Sequence, residues 1–580
     1  MCRIRPSRAK SKGSATLPKG DDLKNTPLGT LPWRSVINLN ILSQSRDSIN
    51  SPRARTNATS ICGKYLLSYD FASLRHYLTF LAFTMLPCET SLVKNLFMSS
   101  EADFLEKYRK LVPSKEWQAF KKHFKKPLRK SLRVNTLKVL VEEFEKVASK
   151  EDWQLSSVPW CSEGFFIDRE DRSIPLGSTW QHLAGLFYIQ EASSMLPVEK
   201  IKLKVKSEKM KILDLCSAPG SKLTQLAAKF PEALIVANEV DRKRVIALKQ
   251  NITRQGLTNV VITSLDASKF AELTPNFFDI VLVDAPCSGE GMIRKSPKVL
   301  EFWSEKKVRY MAGIQKRITE TAFVALSPGG QLIYSTCTYA PEENEEVLKY
   351  LVEKEKVVKI EEQERIWPQM YDTEGFFVAR IRKNSDITDP PGHPPTLATT
   401  IADKYEEKVK RICKKRRTIS KTQSQHTVLA KKQSLQTNSL LKKNWGIDLS
   451  KHLEKYSLLK QDNKIHLVPK AALRLPLKYI QTGIELGSLI RNELILSHAA
   501  AIALGKDAQK NVLELSQQQA TSNQQSLISN FLSGQDLPIT LKTQETKQLI
   551  VCYEGYPLGL VKIVGEKLKN QLPREYRTNN

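Results

Sequence analysis

Nowhere in this 580-residue sequence do two cysteines stand in a Cys-x-x-Cys pair, although nine cysteines are present. No His/Cys cluster replaces such a pair. The scatter speaks against structural zinc and against a secreted disulfide framework, and it fits a reducing cytosol. Long apolar runs are also missing. Tyr77–Leu86, YLTFLAFTML, has about half of the roughly 20 residues that a membrane-spanning helix needs, and it lies too deep for an ordinary signal peptide. No membrane role is expected. Acidic charge is the scarcer sign, with 61 Asp/Glu against 90 Lys/Arg and a net charge of +29. Residues 1–98 (+9), 115–138 (+8) and 404–443 (+11) hold nearly all of the excess. Such blocks are in many chains only solubilising tails. Here, confined to discrete segments, they predict a polyanionic partner, RNA or DNA.

The order along the chain changes abruptly. Residues 1–97 lack sustained periodicity and read as a disordered leader or a mis-called start, with the functional chain beginning near Met98. There MSSEADFLEKYRKLV predicts a capped amphipathic helix with Phe104, Leu105, Tyr108 and Leu111 on one face. Residues 98–205 read as an α/β module and 206–383 as a larger α/β domain. A basic linker is expected over 384–444, a small α/β region over 445–505 and a β-rich tail over 506–580. Within 206–383, strands are expected at Lys211–Cys216, Leu234–Glu239, Val260–Leu265, Asp279–Asp284, Gln331–Thr336 and Phe376–Ile381. Helices fall between most of them, near 222–230, 241–255, 305–326 and 342–355. This alternation predicts a doubly wound, mostly parallel sheet with its ligands at the carboxyl ends of the strands.

Polar residues collect at those ends. In DLCSAPGSK, Cys216, Ser217, Ala218, Pro219, Gly220, Ser221 and Lys222 lead from the first strand into a helix, a nucleotide-site geometry. The loop has neither the G-x-G-x-x-G of dinucleotide folds nor the P-loop spacing. Glu239 ends the second strand, where a carboxylate accepts ribose hydroxyls; it serves equally as a helix cap. Asp266 ends the third, within reach of an adenine amino group, and Asp284 ends the fourth. Three acidic strand ends without a phosphate cradle fit S-adenosylmethionine better than NAD or ATP. Cys287 and Cys337 then end the fourth and fifth strands. One cysteine alone is ordinarily a buried packing residue. Two at neighbouring strand ends, beside a nucleotide-type loop, point to chemistry.

Taken together, DLCSAPGSK, ANE, DAPCSGEG and YSTCT resemble the RNA cytosine-C5 methyltransferases. LRVNTLK (132–138), YIQEASSM (188–195) and EGFFVARIRK (374–383) extend the resemblance, and GYPLGLVKIVGEKLKNQLPREYR (555–577) resembles the branch of bacterial 16S ribosomal RNA methyltransferase F. The resemblance implies a Rossmann-like class I S-adenosylmethionine-dependent methyltransferase domain. An N-terminal α/β RNA-binding module and a C-terminal PUA-like β-barrel region would flank it. It further implies that residues 216–222, Glu239, Asp266 and Asp284 hold S-adenosylmethionine, that Cys337 is the nucleophile and that Cys287 assists product release. Asp284 would also meet the cytosine N3/N4 edge. DNA-type enzymes use the cysteine of a Pro-Cys pair, here Cys287; the RNA type uses the Thr-Cys cysteine, here Cys337. The implied substrate is 16S ribosomal RNA, free or within the 30S subunit, met by a cytoplasmic monomer. Transfer RNA or 23S RNA as substrate, or a noncatalytic assembly factor, are the alternatives.

The chemistry fits the residue types. A thiolate adding to C6 makes cytosine C5 enamine-like, so that it attacks a sulfonium methyl group. Thr336, Thr338 and the following helix start are candidates to stabilise the thiolate, against the field of Glu342 and Glu343. For RNA, Lys121, Lys122, Lys125, Lys126, Arg129, Lys130 and Arg133 are expected on phosphates. Phe120, His123 and Phe124 are available for stacking or for core packing. The basic run CKKRRTISK (413–421) would add nonspecific affinity.

Overall fold

Seven strands in chain order make up most of the central sheet: β1 (Lys211–Asp214), β2 (Leu234–Asn238), β3 (Val260–Thr263), β4 (Phe278–Asp284), β5 (Leu326–Thr336), β6 (Val358–Ile366) and β7 (Phe376–Lys383). Their spatial order is 6-7-5-4-1-2-3. β1 to β5 run parallel, and β7 and β6 add antiparallel at one edge. The computed structural model describes residues 101–203, 209–355, 358–384, 426–515, 527–537 and 547–578. The leader expected over 1–97, Tyr77–Leu86 and the run 413–421 lie outside them. No helix among the described residues is long and apolar enough to cross a membrane.

The parallel strands read as unbroken apolar runs because both faces are covered. Along β4, Val281 and Val283 join one core, while Ile280 and Leu282 join the other. β6 was not expected. Its sequence VKIEEQERI is dominated by charge, and its glutamates find basic partners on β7 and at Lys200, the end of a helix. Glu361 pairs with Arg380 at 2.9 Å and Arg382 at 2.6 Å, and Glu362 with Lys200 at 2.5 Å. An edge strand stabilised by ion pairs does not show the apolar signature used to find the others.

Before this sheet lies a four-stranded antiparallel one, ordered Trp153–Val158, Cys161–Arg169, Ser131–Val134, Phe187–Ile189. It corrects one expectation. Arg133, placed on phosphate by sequence, is 1% exposed and donates to Gln190, to the Ser221 carbonyl at 3.1 Å and to Thr224 Oγ1 at 3.0 Å. Its strand is buried throughout, so the basic run passes through the core there. Phe120 and Phe124 are likewise core. With Phe104 and Tyr108 they pack against Trp303, Tyr339 and Trp367 of the central domain. Lys125 and Lys126 pair with Glu101 and Asp372.

Beyond the central domain, the linker expected over 384–444 ends earlier than the sequence indicated. His426–Val428 pairs with Tyr456–Gln461 in a five-stranded antiparallel sheet, and Lys431–Trp445 is a helix. Polar residues cover most of that helix, and a narrow side including Leu441 and Trp445 is buried. The tail forms a second small sheet of Val512–Leu515, Gln548–Tyr553, Tyr556–Val564 and Lys567–Asn570. These parts are tied to the rest at several points. Gln481–Thr482 extends the central sheet beside β3. The N-terminal sheet and the tail share one apolar core, in which Phe144 and Phe187 join Val551, Leu558 and Phe531.

Candidate active site

Because β4 and β5 are parallel neighbours in register, with Asp284 opposite Ser335, they release their chains at one edge of the sheet. Cys287 and Cys337 follow there with their sulfur atoms 3.3 Å apart. A disulfide would stand at about 2.05 Å; these are two free thiols in contact. The hydrogen bond to Cys337, followed by burial, pushes the Cys287 thiol well above its ordinary range. Either sulfur can be the donor in this contact.

The backbone on either side of Cys337 is pinned. The Thr336 hydroxyl donates to Asn344 Oδ1 at 2.6 Å, and Asn344 Nδ2 donates to the Thr338 carbonyl at 3.1 Å. Asn344 thus holds both flanking threonines. The Thr338 hydroxyl donates to Glu290 at 2.6 Å. Neither threonine hydroxyl is given to the sulfur, contrary to the expectation that they stabilise a thiolate. Glu343, expected with Glu342 to offset the field of the helix start, is buried and accepts from the Ser288 amide at 2.9 Å and Gln315 at 2.7 Å. Burial raises its proton affinity. Glu342 pairs with Lys107 at 2.9 Å.

Glu290 itself is fully buried and saturated with donors. It accepts from Tyr108 at 2.6 Å, Trp303 at 2.5 Å and the Tyr339 amide at 3.1 Å. Asp284 accepts from Ser335 at 2.8 Å and pairs with the buried Lys222 at 2.7 Å. Lys222, expected to serve the cofactor with the rest of its loop, spends its ammonium on Asp284 and on Ser194 at 2.9 Å.

The loop after β1 is shaped by Gly220, whose φ of +109° favours glycine and whose missing Cβ would approach Leu248 to 3.0 Å. Ser221 opens the following helix. Cys216, Ser217, Ala218 and Pro219 line the turn, braced by Asn251 on the Pro219 carbonyl at 2.9 Å, Arg244 on that of Ala218 and the Ser217 amide on Asn238. Asn238 also joins the neighbouring ends, donating to the Leu215 and Leu265 carbonyls and accepting from Thr263 at 2.9 Å. Glu239 is buried; Oε1 takes the Asp241 amide and Oε2 sits 3.0 Å from Arg244. Asp266 is exposed, and its Oδ1 accepts from the amide of Ser268, the first residue of the next helix, at 2.9 Å. Its hydrogen bonds with Ser268 hold its carboxyl below the ordinary range.

Asp214, at the end of β1, was not singled out from sequence. It is buried, and no donor meets hydrogen-bond geometry at either carboxyl oxygen among the described residues, although the Ser217 hydroxyl and the Cys216 amide lie close enough to favour its charged form. Burial pushes it up to about 7, and Asp284 adds to the push. An orphaned carboxyl, Glu239 and Asp284 around a turn that admits close approach fit a nucleoside ligand carrying a positive centre. The only sequence signal for Asp214 was its polarity at the end of an apolar strand.

Family models match along the chain: "16S rRNA methyltransferase RsmB/F" over residues 200–382, "N-terminal domain of 16S rRNA methyltransferase RsmF" over 101–192 and "Methyltransferase RsmF PUA domain" over 510–578. Ribosomal RNA small subunit methyltransferase F of Aeromonas salmonicida is 37% identical over 481 residues, 79% of this chain and 92% of that one. The protein of the same description from Escherichia coli is 36% identical over 498 residues, 81% and 95% of the two chains. Among solved structures, a methyltransferase homolog protein from Pyrococcus horikoshii is 30% identical with a TM-score of 0.43, covering 52% of this chain and all of that one.

Proposed function

Since the chain belongs to the 16S rRNA methyltransferase RsmB/F family, we propose that it methylates C5 of a cytosine in 16S ribosomal RNA through a covalent bond from Cys337 to C6. The observation that carries this reading is the contact of two free thiols, 3.3 Å apart, at the ends of adjacent parallel strands beside Asp284. A methyltransferase acting on an exocyclic amine has no use for that pair.

S-adenosylmethionine, when bound, supplies the methyl group as an electrophilic sulfonium. Asp214, Glu239 and Asp266, at the ends of β1 to β3, are the residues that would hold it. Asp214 offers a carboxylate to a cationic centre, and Glu239 an acceptor to the ribose hydroxyls. The Cys337 sulfur adds to C6 and raises electron density at C5. Asp284, held by Lys222 and Ser335, faces the polar edge of the base, where charge develops in the adduct. Once C5 carries the methyl group, a base takes the C5 proton, the electron pair of that bond re-forms the C5=C6 double bond, and the C6–S bond breaks to release the thiolate. Cys287, protonated and in contact with Cys337, supplies the proton that keeps the departing sulfur from adding again.

The target base must leave its stack to reach thiols at the sheet edge. The tail matched by the PUA model, joined through a common core to the N-terminal sheet, fits a shape-reading surface for structured RNA. On this reading the protein is a cytoplasmic monomer that meets its RNA free or within the 30S subunit. Mapping 5-methylcytosine in ribosomal and transfer RNA, with and without the gene, tests it. One lost 16S position is expected. A lost position in 23S or transfer RNA would reassign the substrate, and no loss would leave a noncatalytic role.

A further inference from the structure

Two of the sequence stretches quoted above, YIQEASSM and EGFFVARIRK, meet beside the thiol pair through residues to which no role has been given. Glu191, from the first, pairs at 2.7 Å with Lys295, which follows the DAPCSGEG loop. Glu374, from the second, is 2% exposed, and its Oε1 is buried without a hydrogen-bond partner among the described residues. A buried polar atom left unpaired in the free protein is a place where a ligand's hydrogen-bond donor gains more than it would in water.

The backbone fixes where Glu374 sits. The Gly375 amide donates to the Gly291 carbonyl at 3.3 Å, and the Gly291 amide donates to the Cys337 carbonyl at 2.9 Å. A Cβ on Gly291 would lie 2.0 Å from the Gly375 oxygen and 3.0 Å from the Cys337 oxygen, so the three segments touch backbone to backbone. Arg294 locks the same junction from behind, donating to the Thr373 carbonyl at 2.8 Å and pairing with Asp372 at 2.6 Å. Glu374 is thus one residue from a backbone that touches the peptide of the nucleophile. Its carboxyl feels the charge of Glu191, Lys295, Lys222 and Arg294, and burial pushes it up to about 8.

We propose that Glu374 is a base-recognition residue, its buried Oε1 accepting a hydrogen bond from the exocyclic amino group of the target cytosine, with Glu191 and Lys295 bracing the same wall. This rests on the cytosine reading above. It adds to Asp284 a second carboxyl on the polar edge of the base, supplied by the segment that leads into β7.

The test pairs a change in the protein with a change in the base. RNA carrying the mapped cytosine is compared with the same RNA carrying a pyrimidin-2-one nucleoside there, which lacks only the amino group. For Glu374→Met, kcat/KM on the cytosine RNA is expected to fall about tenfold, the worth of one buried hydrogen bond. Covalent capture of the pyrimidinone RNA should change less than about twofold, because the lost partner is absent from both sides of the comparison. Glu374→Gln, which keeps an acceptor oxygen and the side-chain volume, should recover most of the activity. Equal losses on the two RNAs would make Glu374 a structural residue and overturn the assignment. Failure of the unaltered protein to modify or capture either RNA would instead refute the cytosine reading itself.

Discussion

The Tyr108 hydroxyl donates to the buried Glu290 carboxylate at 2.6 Å, joining a helix near the start of the described chain to the loop that carries Cys287. Glu290 in turn receives Thr338, the residue after Cys337. The helix Glu101–Arg109 is therefore part of the scaffold of the thiol pair. Tyr108→Phe removes one donor from a buried carboxylate and is expected to cost about 1–3 kcal/mol of stability, read by urea unfolding. A fall in kcat with an unchanged KM for RNA should accompany it. An unchanged unfolding midpoint would show the bond to be dispensable.

The two cysteines predict opposite phenotypes. Cys337→Ala should abolish covalent capture of RNA. Cys287→Ala should leave a persistent protein–RNA species on a denaturing gel, because Cys337 then departs without the proton its neighbour supplies. The reverse pattern would exchange their roles.

On the reading proposed above, Asp214 gives cofactor binding a pH dependence. With its carboxyl at about 7, the free protein holds a proton that a cationic ligand must displace. Affinity for S-adenosylmethionine should therefore rise from about pH 5.5 to about 7, by up to tenfold per unit, and level off above. Asp214→Asn should flatten the profile and weaken binding at the alkaline end. The sign for folding is opposite. The unfolded chain ionises at the ordinary carboxylate pKa, so this group's contribution to stability is present at low pH and lost as pH rises through about 7. Titration calorimetry across this range checks the first statement and thermal unfolding the second; a flat binding profile for the unaltered protein would refute the assignment.

Arg133 and Lys121 should separate structural from electrostatic roles. Arg133→Met removes hydrogen bonds to Thr224 and the Ser221 carbonyl and should destabilise the fold by about 2–3 kcal/mol. It should leave the salt dependence of RNA binding unchanged. Lys121→Gln, in the same basic run, should reduce that salt slope if the lysine meets a phosphate. A smaller slope for Arg133→Met at unaltered stability would restore the phosphate role.

How far the sequence reveals this molecule depends on where each side chain finds its partner. β1 to β5 and β7 are legible because a strand buried on both faces must be apolar along its length. Cys287, Cys337 and Asp284 are legible because strand ends are where such sheets place their ligands. β6 is not, because its glutamates are matched by Arg380, Arg382 and Lys200, which lie far enough away in sequence that the pairing leaves no local pattern. Glu374, Glu290 and Asn344 are hidden for the same reason: a buried polar residue looks exposed until its neighbours are known. Arg133 shows the converse. A run of positive charge marks a surface only on average, and one strand of this run turns inward.

The core shared by the N-terminal sheet and the tail has a consequence for how the protein is made. Phe144 and Phe187 share one apolar core with Val551 and Leu558, so the core of the N-terminal sheet is completed only once the tail has been made. Its apolar face stays uncovered through the synthesis of some 350 intervening residues. Folding of this module is a late, long-range event with a high closure cost. Prematurely terminated chains would then expose the sticky half of a core, a natural mark for a chaperone or a protease.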